Sequence, residues 1–222
     1  MDHRGHGLSP GKRGDISSFQ CFIDDWIWFK RFVQSVEHGK KYYVLGHSLG
    51  GLVVIHAAQQ EGRFIDGVLL SSPLLGISFQ GAYVKRALAK VLAYIMPGLS
   101  LFNEIDASFV CRDREILKAT LTDRLIHQRM TPRMFQEMNR AMKKAWQFQP
   151  QWHFPTFLAQ AGDDKLVSVK KAIDFVELSR SPSKTVKVYD GFYHEVLNDI
   201  ERHRVFEDMI LWMKMHKGIS ES

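Results

Sequence analysis

The sequence lacks the features that mark membrane-spanning, disulfide-rich and repeat proteins. No stretch of its 222 residues approaches the roughly 20 uninterrupted apolar residues that cross a bilayer, and no apolar signal segment opens it. It contains only 2 cysteines, Cys21 and Cys111, which stand far apart and outside any C-x-x-C spacing, so a disulfide framework and a zinc knuckle are unsupported. It also lacks internal repeats and low-complexity segments. We therefore expect a soluble, cytoplasmic protein.

The positive charge is concentrated in the middle of the chain. The formal net charge of +6 arises between residues 73 and 153, where 12 Lys and Arg face 6 Asp and Glu, while the flanking segments nearly balance. These basic residues are scattered among helical apolar positions without a nucleic-acid-binding module, so no nucleic-acid partner is expected. A peripheral contact with an anionic membrane surface and a merely solvated helical face both remain open. The oligomeric state is not indicated by the sequence.

Helix-like and strand-like segments alternate at both ends of the chain. The first segment predicts, in order, helix 19–37, strand 42–45, helix 49–60 and a short apolar strand within 66–73. The last segment predicts strand 156–160, a helix near 169–178, strand 185–189 and a terminal helix from about 201 to 215. This alternation predicts an α/β fold with a mostly parallel sheet covered by helices.

The alternation stops between Pro73 and Pro155. Only helical stretches are predicted there, such as 83–96 and 134–146, and no convincing strand. We therefore assign residues 73–153 to an inserted helical cap and residues 1–72 and 154–222 to the core. The apolar positions of helix 83–96 could line an acyl-chain tunnel, touch a membrane or simply pack on the core, and Lys85, Arg86 and Lys90 lie on its other side.

A candidate nucleophile stands between strand 42–45 and the helix that follows it. Here the sequence Gly46-His47-Ser48-Leu49-Gly50 forms a G-x-S-x-G string, which is typical of a strained turn that holds a serine hydroxyl out over a sheet edge. The turn leaves no room for side chains two residues before and two residues after the serine. We therefore expect Gly46 and Gly50 to be required for steric reasons.

A serine needs a base to take its proton and an acid to orient that base. His194 alone among 10 histidines lies in a short loop after a late strand and before the terminal helix, while His47 is expected to point away from the position of a base. The acid is Asp163 or Asp164, which are adjacent and point in opposite directions, so only one can face the histidine. Asp190 is a third candidate that better suits a turn.

Four short sequence segments along the chain resemble the motifs of one protein family. They are D-H-R-G-H-G-L-S at 2–9, G-H-S-L-G-G at 46–51, G-D-D-K-L-V at 162–167 and Y-H-E at 193–195. Together they are similar to the monoacylglycerol lipase and lysophospholipase branch of the α/β hydrolases, often labelled serine aminopeptidase-like. The resemblance implies an α/β-hydrolase fold, Asp164 as the acid and the backbone N–H of Leu49 as one oxyanion donor.

The chain departs from the family pattern at its start. Family members have several strands before the D-H-R-G-H-G string, including a segment that supplies the second oxyanion donor, so the N-terminal part of the sheet is expected to be missing. The strand before Ser48 would then become an exposed edge. A fragment, a mis-started reading frame and a partner that supplies the sheet all remain open.

The sequence therefore predicts hydrolysis of a single-chain lipid ester, a lysophospholipid or monoacylglycerol, by Ser48, His194 and Asp164 through an acyl-enzyme. No metal or organic cofactor is expected to take part. Two alternatives remain open: a serine aminopeptidase-like peptide hydrolase, and an inactive or binding-only remnant.

Overall fold

A computed structural model describes residues 1–38, 40–78, 91–102 and 106–216. Its strands, numbered in chain order, are β1 (Tyr43–His47), β2 (Gly67–Ser71), β3 (Leu101–Phe102), β4 (Arg129–Met130), β5 (Thr156–Ala161) and β6 (Lys184–Tyr189). The main sheet has the order β1-β2-β5-β6, and every neighbouring pair in it is parallel. The predicted mostly parallel sheet is thus confirmed.

Six labelled helices accompany the sheet. They are α1 (Gln20–Val36), α2 (Leu49–Glu61), α3 (Arg114–Thr122), α4 (Pro132–Phe148), α5 (Val169–Glu177) and α6 (Arg202–Met215). Residues 91–95 are also helical, and short 3-10 turns occupy Ala107–Phe109, Gln149–Gln151 and Val196–Asn198. Helix α4 begins where the Thr131 hydroxyl accepts a hydrogen bond from Met134 N–H and where Pro132 occupies the first turn, both of which favour a helix start.

Helices cover both faces of the sheet. Strands β2 and β5 are buried along their whole length. Successive side chains of a strand point to opposite faces, so Leu70 and Leu158 join a core with α1, α2, α4 and α5, whereas Leu69 and Phe157 pack against Trp212 of α6. This two-sided burial explains why the central strands read as continuous apolar runs.

Strand β1 lies at the edge of the sheet. It pairs only with β2 among the described strands, and the Leu45 side chain is 48% exposed. On the neighbouring helix α1, the rings of Trp28 and Phe32 stack with centroids 6.0 Å apart and remain exposed. The expectation of an exposed edge strand therefore agrees with the described part of the chain.

The predicted insertion contains both core and peripheral elements. Helix α4 packs on α2, and its residues Met134, Met138 and Met142 belong to the same buried cluster as α2. The cap boundaries 73–153 stay a prediction.

One prediction for this segment is wrong. We expected no strand there, but β3 and β4 form an antiparallel pair. Each strand has two residues, too few to produce the alternating pattern by which strands are recognised. Of the predicted helix 83–96, residues 83–90, with Lys85, Arg86 and Lys90, lie outside the described residues. No helix in the described ranges is both long and apolar enough to cross a membrane.

Candidate active site

Ser48 occupies a strained turn between the end of β1 and the start of α2. Its φ of 50° and ψ of −116° are unusual for a residue with a side chain. The turn is held by the neighbouring strand, because Ser48 N–H donates to Ser71 O at 2.9 Å, and Leu74 N–H donates to Ser48 O at 3.0 Å. The strain is therefore balanced by hydrogen bonds to the last residue of β2 and to the segment that follows it.

Glycines on either side of Ser48 have different roles. A Cβ on Gly46 would lie 2.6 Å from Gly50 O and 2.7 Å from Gly51 Cα, so only glycine fits there. A Cβ on Gly51 would lie 2.9 Å from Pro73 Cβ. A Cβ on Gly50, in contrast, would meet nothing within 4 Å. The expectation that Gly50 must be small for steric reasons is therefore wrong, and the second crowded position is Gly51.

His194 and Asp164 meet across the loops that follow β6 and β5. The distance between His194 Nδ1 and Asp164 Oδ2 is 2.8 Å, and both residues are buried. The backbone N–H groups of Leu166 and Val167 donate to Asp164 Oδ1, each at 2.9 Å. The carboxylate is thus fixed on both oxygens.

The other two acid candidates do not reach His194. Asp163 and Asp190 are both exposed, whereas the side chain of Asp164 is fully enclosed. Of the three carboxylates that the residues alone left open, the structure therefore brings Asp164 to the histidine.

Leu49 is the first residue of α2, so its N–H has no acceptor within the helix. The amino-terminal end of a helix carries a partial positive charge, which favours a negative group beside it. Leu49 N–H is consequently placed next to Ser48 with the chemistry of an oxyanion donor.

His47 contacts the site in a way that the sequence did not predict. Its ring centroid lies 4.9 Å from that of His194. Its Nε2 lies 3.1 Å from Glu195 Oε1, and its Nδ1 lies 3.0 Å from Ser71 Oγ. The only sequence signal for this pair is that His47 and Glu195 directly flank the two predicted site residues.

The segment before α3 is anchored to the loop that carries His194. Arg112 donates to both carboxylate oxygens of the buried Asp199 and lies 4.5 Å over the ring of Phe192. Glu195 N–H donates to Val110 O at 2.9 Å. Residues 110–112 thus fix the backbone next to His194.

Comparison with known proteins identifies the family. The sequence model of the serine aminopeptidase S33 family matches residues 1–201. The chain belongs to this family. As predicted from the four strings, it is a serine ester hydrolase with the α/β-hydrolase fold.

Two characterised relatives and one solved structure are similar along nearly the whole chain. Human monoglyceride lipase is 32% identical over 216 residues, which cover 96% of this chain and 71% of the relative. Phospholipase YtpA of Bacillus subtilis is 32% identical over 213 residues, which cover 93% and 80%. The monoacylglycerol lipase of Paleococcus ferrophilus superimposes with a TM-score of 0.85 at 31% identity, over 97% of this chain and 82% of that one.

Proposed function

We propose that this protein hydrolyses a single-chain lipid ester, a monoacylglycerol or a lysophospholipid, through an acyl-enzyme on Ser48. The observation that carries the proposal is the buried His194–Asp164 hydrogen bond of 2.8 Å, in a chain whose Ser48 is held at positive φ. In this arrangement the groups required for nucleophilic catalysis lie at the carboxyl ends of β1, β5 and β6, where parallel sheets bind ligands.

In the first half of the reaction, His194 Nε2 takes the proton of Ser48 Oγ as that oxygen attacks the ester carbonyl. Asp164 accepts a hydrogen bond from His194 Nδ1–H, which selects the required tautomer and stabilises the imidazolium that forms. Leu49 N–H donates to the oxyanion of the tetrahedral intermediate. Collapse of this intermediate breaks the bond to the alcohol, which leaves with the proton from His194.

In the second half, water replaces the alcohol. His194 takes a proton from water as its oxygen attacks the acyl carbonyl, and returns that proton to Ser48 Oγ when the fatty acid leaves. Among the described residues, Ser48 Oγ and His194 form no hydrogen bond. We expect this hydrogen bond to form when substrate binds. The mechanism uses only groups of the chain and needs no cofactor.

The substrate class is supported by relatives and by exposed apolar side chains. The two relatives are named as a monoglyceride lipase and a phospholipase, both of which act on lipid esters. In the predicted cap, Ile95, Met96 and Phe102 are 67%, 50% and 68% exposed. Exposed apolar side chains within a basic segment fit a peripheral contact with an anionic lipid surface, from which a single-chain substrate would enter.

The experiment compares Ser48→Ala with Ser35→Ala, a control at an exposed serine of α1. Each is treated with a fluorophosphonate probe and assayed with monoacylglycerol, lysophosphatidylcholine and an aminoacyl amide. We expect Ser48→Ala to lose labelling and ester turnover, and Ser35→Ala to keep both. Undiminished labelling of Ser48→Ala would overturn the nucleophile, and preferential cleavage of the amide would favour a peptidase over a lipid esterase.

A further inference from the structure

We propose that His47 and Glu195 form a pair that positions His194 for its role as the base. The inference rests on the proposed function, because it assigns a role to residues around His194. His47 and Glu195 are positioning residues, since neither is required to touch the reacting atoms.

Every polar side-chain atom of His47 and Glu195 has a hydrogen-bond partner. His47 Nε2 and Glu195 Oε1 are 3.1 Å apart, and the second carboxylate oxygen accepts a hydrogen bond from Asn198 Nδ2 at 2.8 Å. On the other side of the ring, His47 Nδ1 lies 3.0 Å from Ser71 Oγ. With Nε2 donating to the carboxylate, a neutral His47 accepts from the Ser71 hydroxyl at Nδ1. Such a pair has little freedom to rotate.

This pair restrains His194 from two directions. The His47 ring lies 4.9 Å from the His194 ring at an interplanar angle of 54°, so it limits movement of the imidazole. Glu195 follows His194 in the chain, and its backbone N–H donates to Val110 O. Because His47 also precedes Ser48, the pair joins the turn that holds the nucleophile to the loop that holds the base.

The charges around His194 come from several elements. Asp164 reaches Nδ1 from the loop after β5, and Glu195 lies in the loop of His194 itself. Burial alone would raise the pKa of Glu195, but the hydrogen bonds from His47 and Asn198 outweigh it and hold that pKa below its ordinary value. Burial raises the pKa of the nearby Cys111 thiol, which therefore remains neutral. Glu195 is thus held as a carboxylate, which strengthens its hydrogen bond with His47.

The first test compares kcat and KM of Glu195→Gln with those of Glu207→Gln, a control on an exposed position of α6. Glutamine removes the charge that strengthens the hydrogen bond with His47. The loss of positioning should lower kcat about 5-fold with KM changed less than about 2-fold. A kcat equal to that of Glu207→Gln would overturn the proposal.

The second test is a cycle of His47→Gln, Glu195→Gln and the double variant. Because the residues act as a unit, the double variant should lose no more kcat than the worse single variant. Multiplicative losses would show that they act independently. All rates are divided by the active sites titrated with a fluorophosphonate, so a partly unfolded variant changes the number of sites and not the rate per site.

These outcomes separate the inference from the proposed function. If Ser48→Ala is inactive and Glu195→Gln keeps the kcat of Glu207→Gln, only the role of the pair fails. If Ser48→Ala keeps labelling and turnover, the proposed function fails irrespective of the pair.

Discussion

Asp164 holds His194 with one carboxylate oxygen and its own loop with the other. Oδ2 lies 2.8 Å from His194 Nδ1, while Oδ1 accepts two backbone N–H groups at 2.9 Å. The acid is therefore oriented before it meets the histidine, and its side chain links the loops after β5 and β6. Such preorganisation is needed when a transition state develops charge on an imidazole.

Replacement of Asp164 by Asn should separate its two functions. The amide oxygen can still accept the backbone N–H groups, but the amide cannot stabilise the imidazolium and favours the wrong tautomer. We expect kcat to fall about 1,000-fold or more with little change in the thermal midpoint. The matched control is Asp163→Asn at the exposed neighbour, which should keep kcat within about 2-fold. A comparable loss in both variants would contradict the role of Asp164.

The glycines around Ser48 give a prediction about stability. Gly46→Ala places a Cβ against the backbone of α2, and we expect it to lower the free energy of unfolding by about 3 kcal/mol. Gly50→Ala meets no atom and removes a glycine from the first turn of the helix, so it should change stability by about 1 kcal/mol or less, in the stabilising direction. Denaturant unfolding measures both; equal losses would contradict the different contacts of the two glycines.

Most of the fold could be predicted because its elements carry strong local patterns. Helix 19–37 and strand 156–160 were predicted within one residue of α1 and β5 at each end, since apolar periodicity and the flanking proline define them. The two-residue strands β3 and β4 carry no such pattern. Their pairing depends on contacts between distant parts of the chain, which a local window cannot detect.

For the candidate site, the residues alone predicted Ser48 and His194 by position but left the acid open. Alternation of side chains implies that only one of Asp163 and Asp164 faces the histidine, but the phase depends on how the loop folds. The His47–Glu195 contact joins residues 148 positions apart, and only the convergence of β1 and β6 loops brings them together. The steric prediction for Gly50 was wrong for a similar reason. The G-x-S-x-G motif specifies the positions of small residues but not the atoms that a side chain there would contact.

The ion pair between Arg112 and the buried Asp199 should contribute more to stability than the exposed ion pairs near it. Arg112→Met leaves the Asp199 carboxylate enclosed without its bidentate partner, and we expect a loss of about 2–3 kcal/mol in the free energy of unfolding. The control is Arg204→Met, whose hydrogen-bonded partner Glu201 is partly exposed, and which should cost about 0.5 kcal/mol or less. Because residues 110–112 fix the backbone beside His194, Arg112→Met should also lower kcat. Equal unfolding free energies for the two variants would contradict this anchor.

The ionised carboxylate of Asp15 should make the stability of the protein depend on pH under acidic conditions. Burial raises its pKa, but hydrogen bonds from Arg133 and Thr131 outweigh that effect, so the pKa lies below its ordinary value. A carboxyl with a lower pKa in the folded state contributes stability above the unfolded pKa of about 3.9, and this contribution is lost as pH falls through the folded pKa. Asp15→Asn should therefore lower the thermal midpoint at pH 7, and the difference from the wild type should shrink between about pH 5 and pH 3. A difference that stays constant over this range would show that the ionised form of Asp15 does not carry the stabilisation.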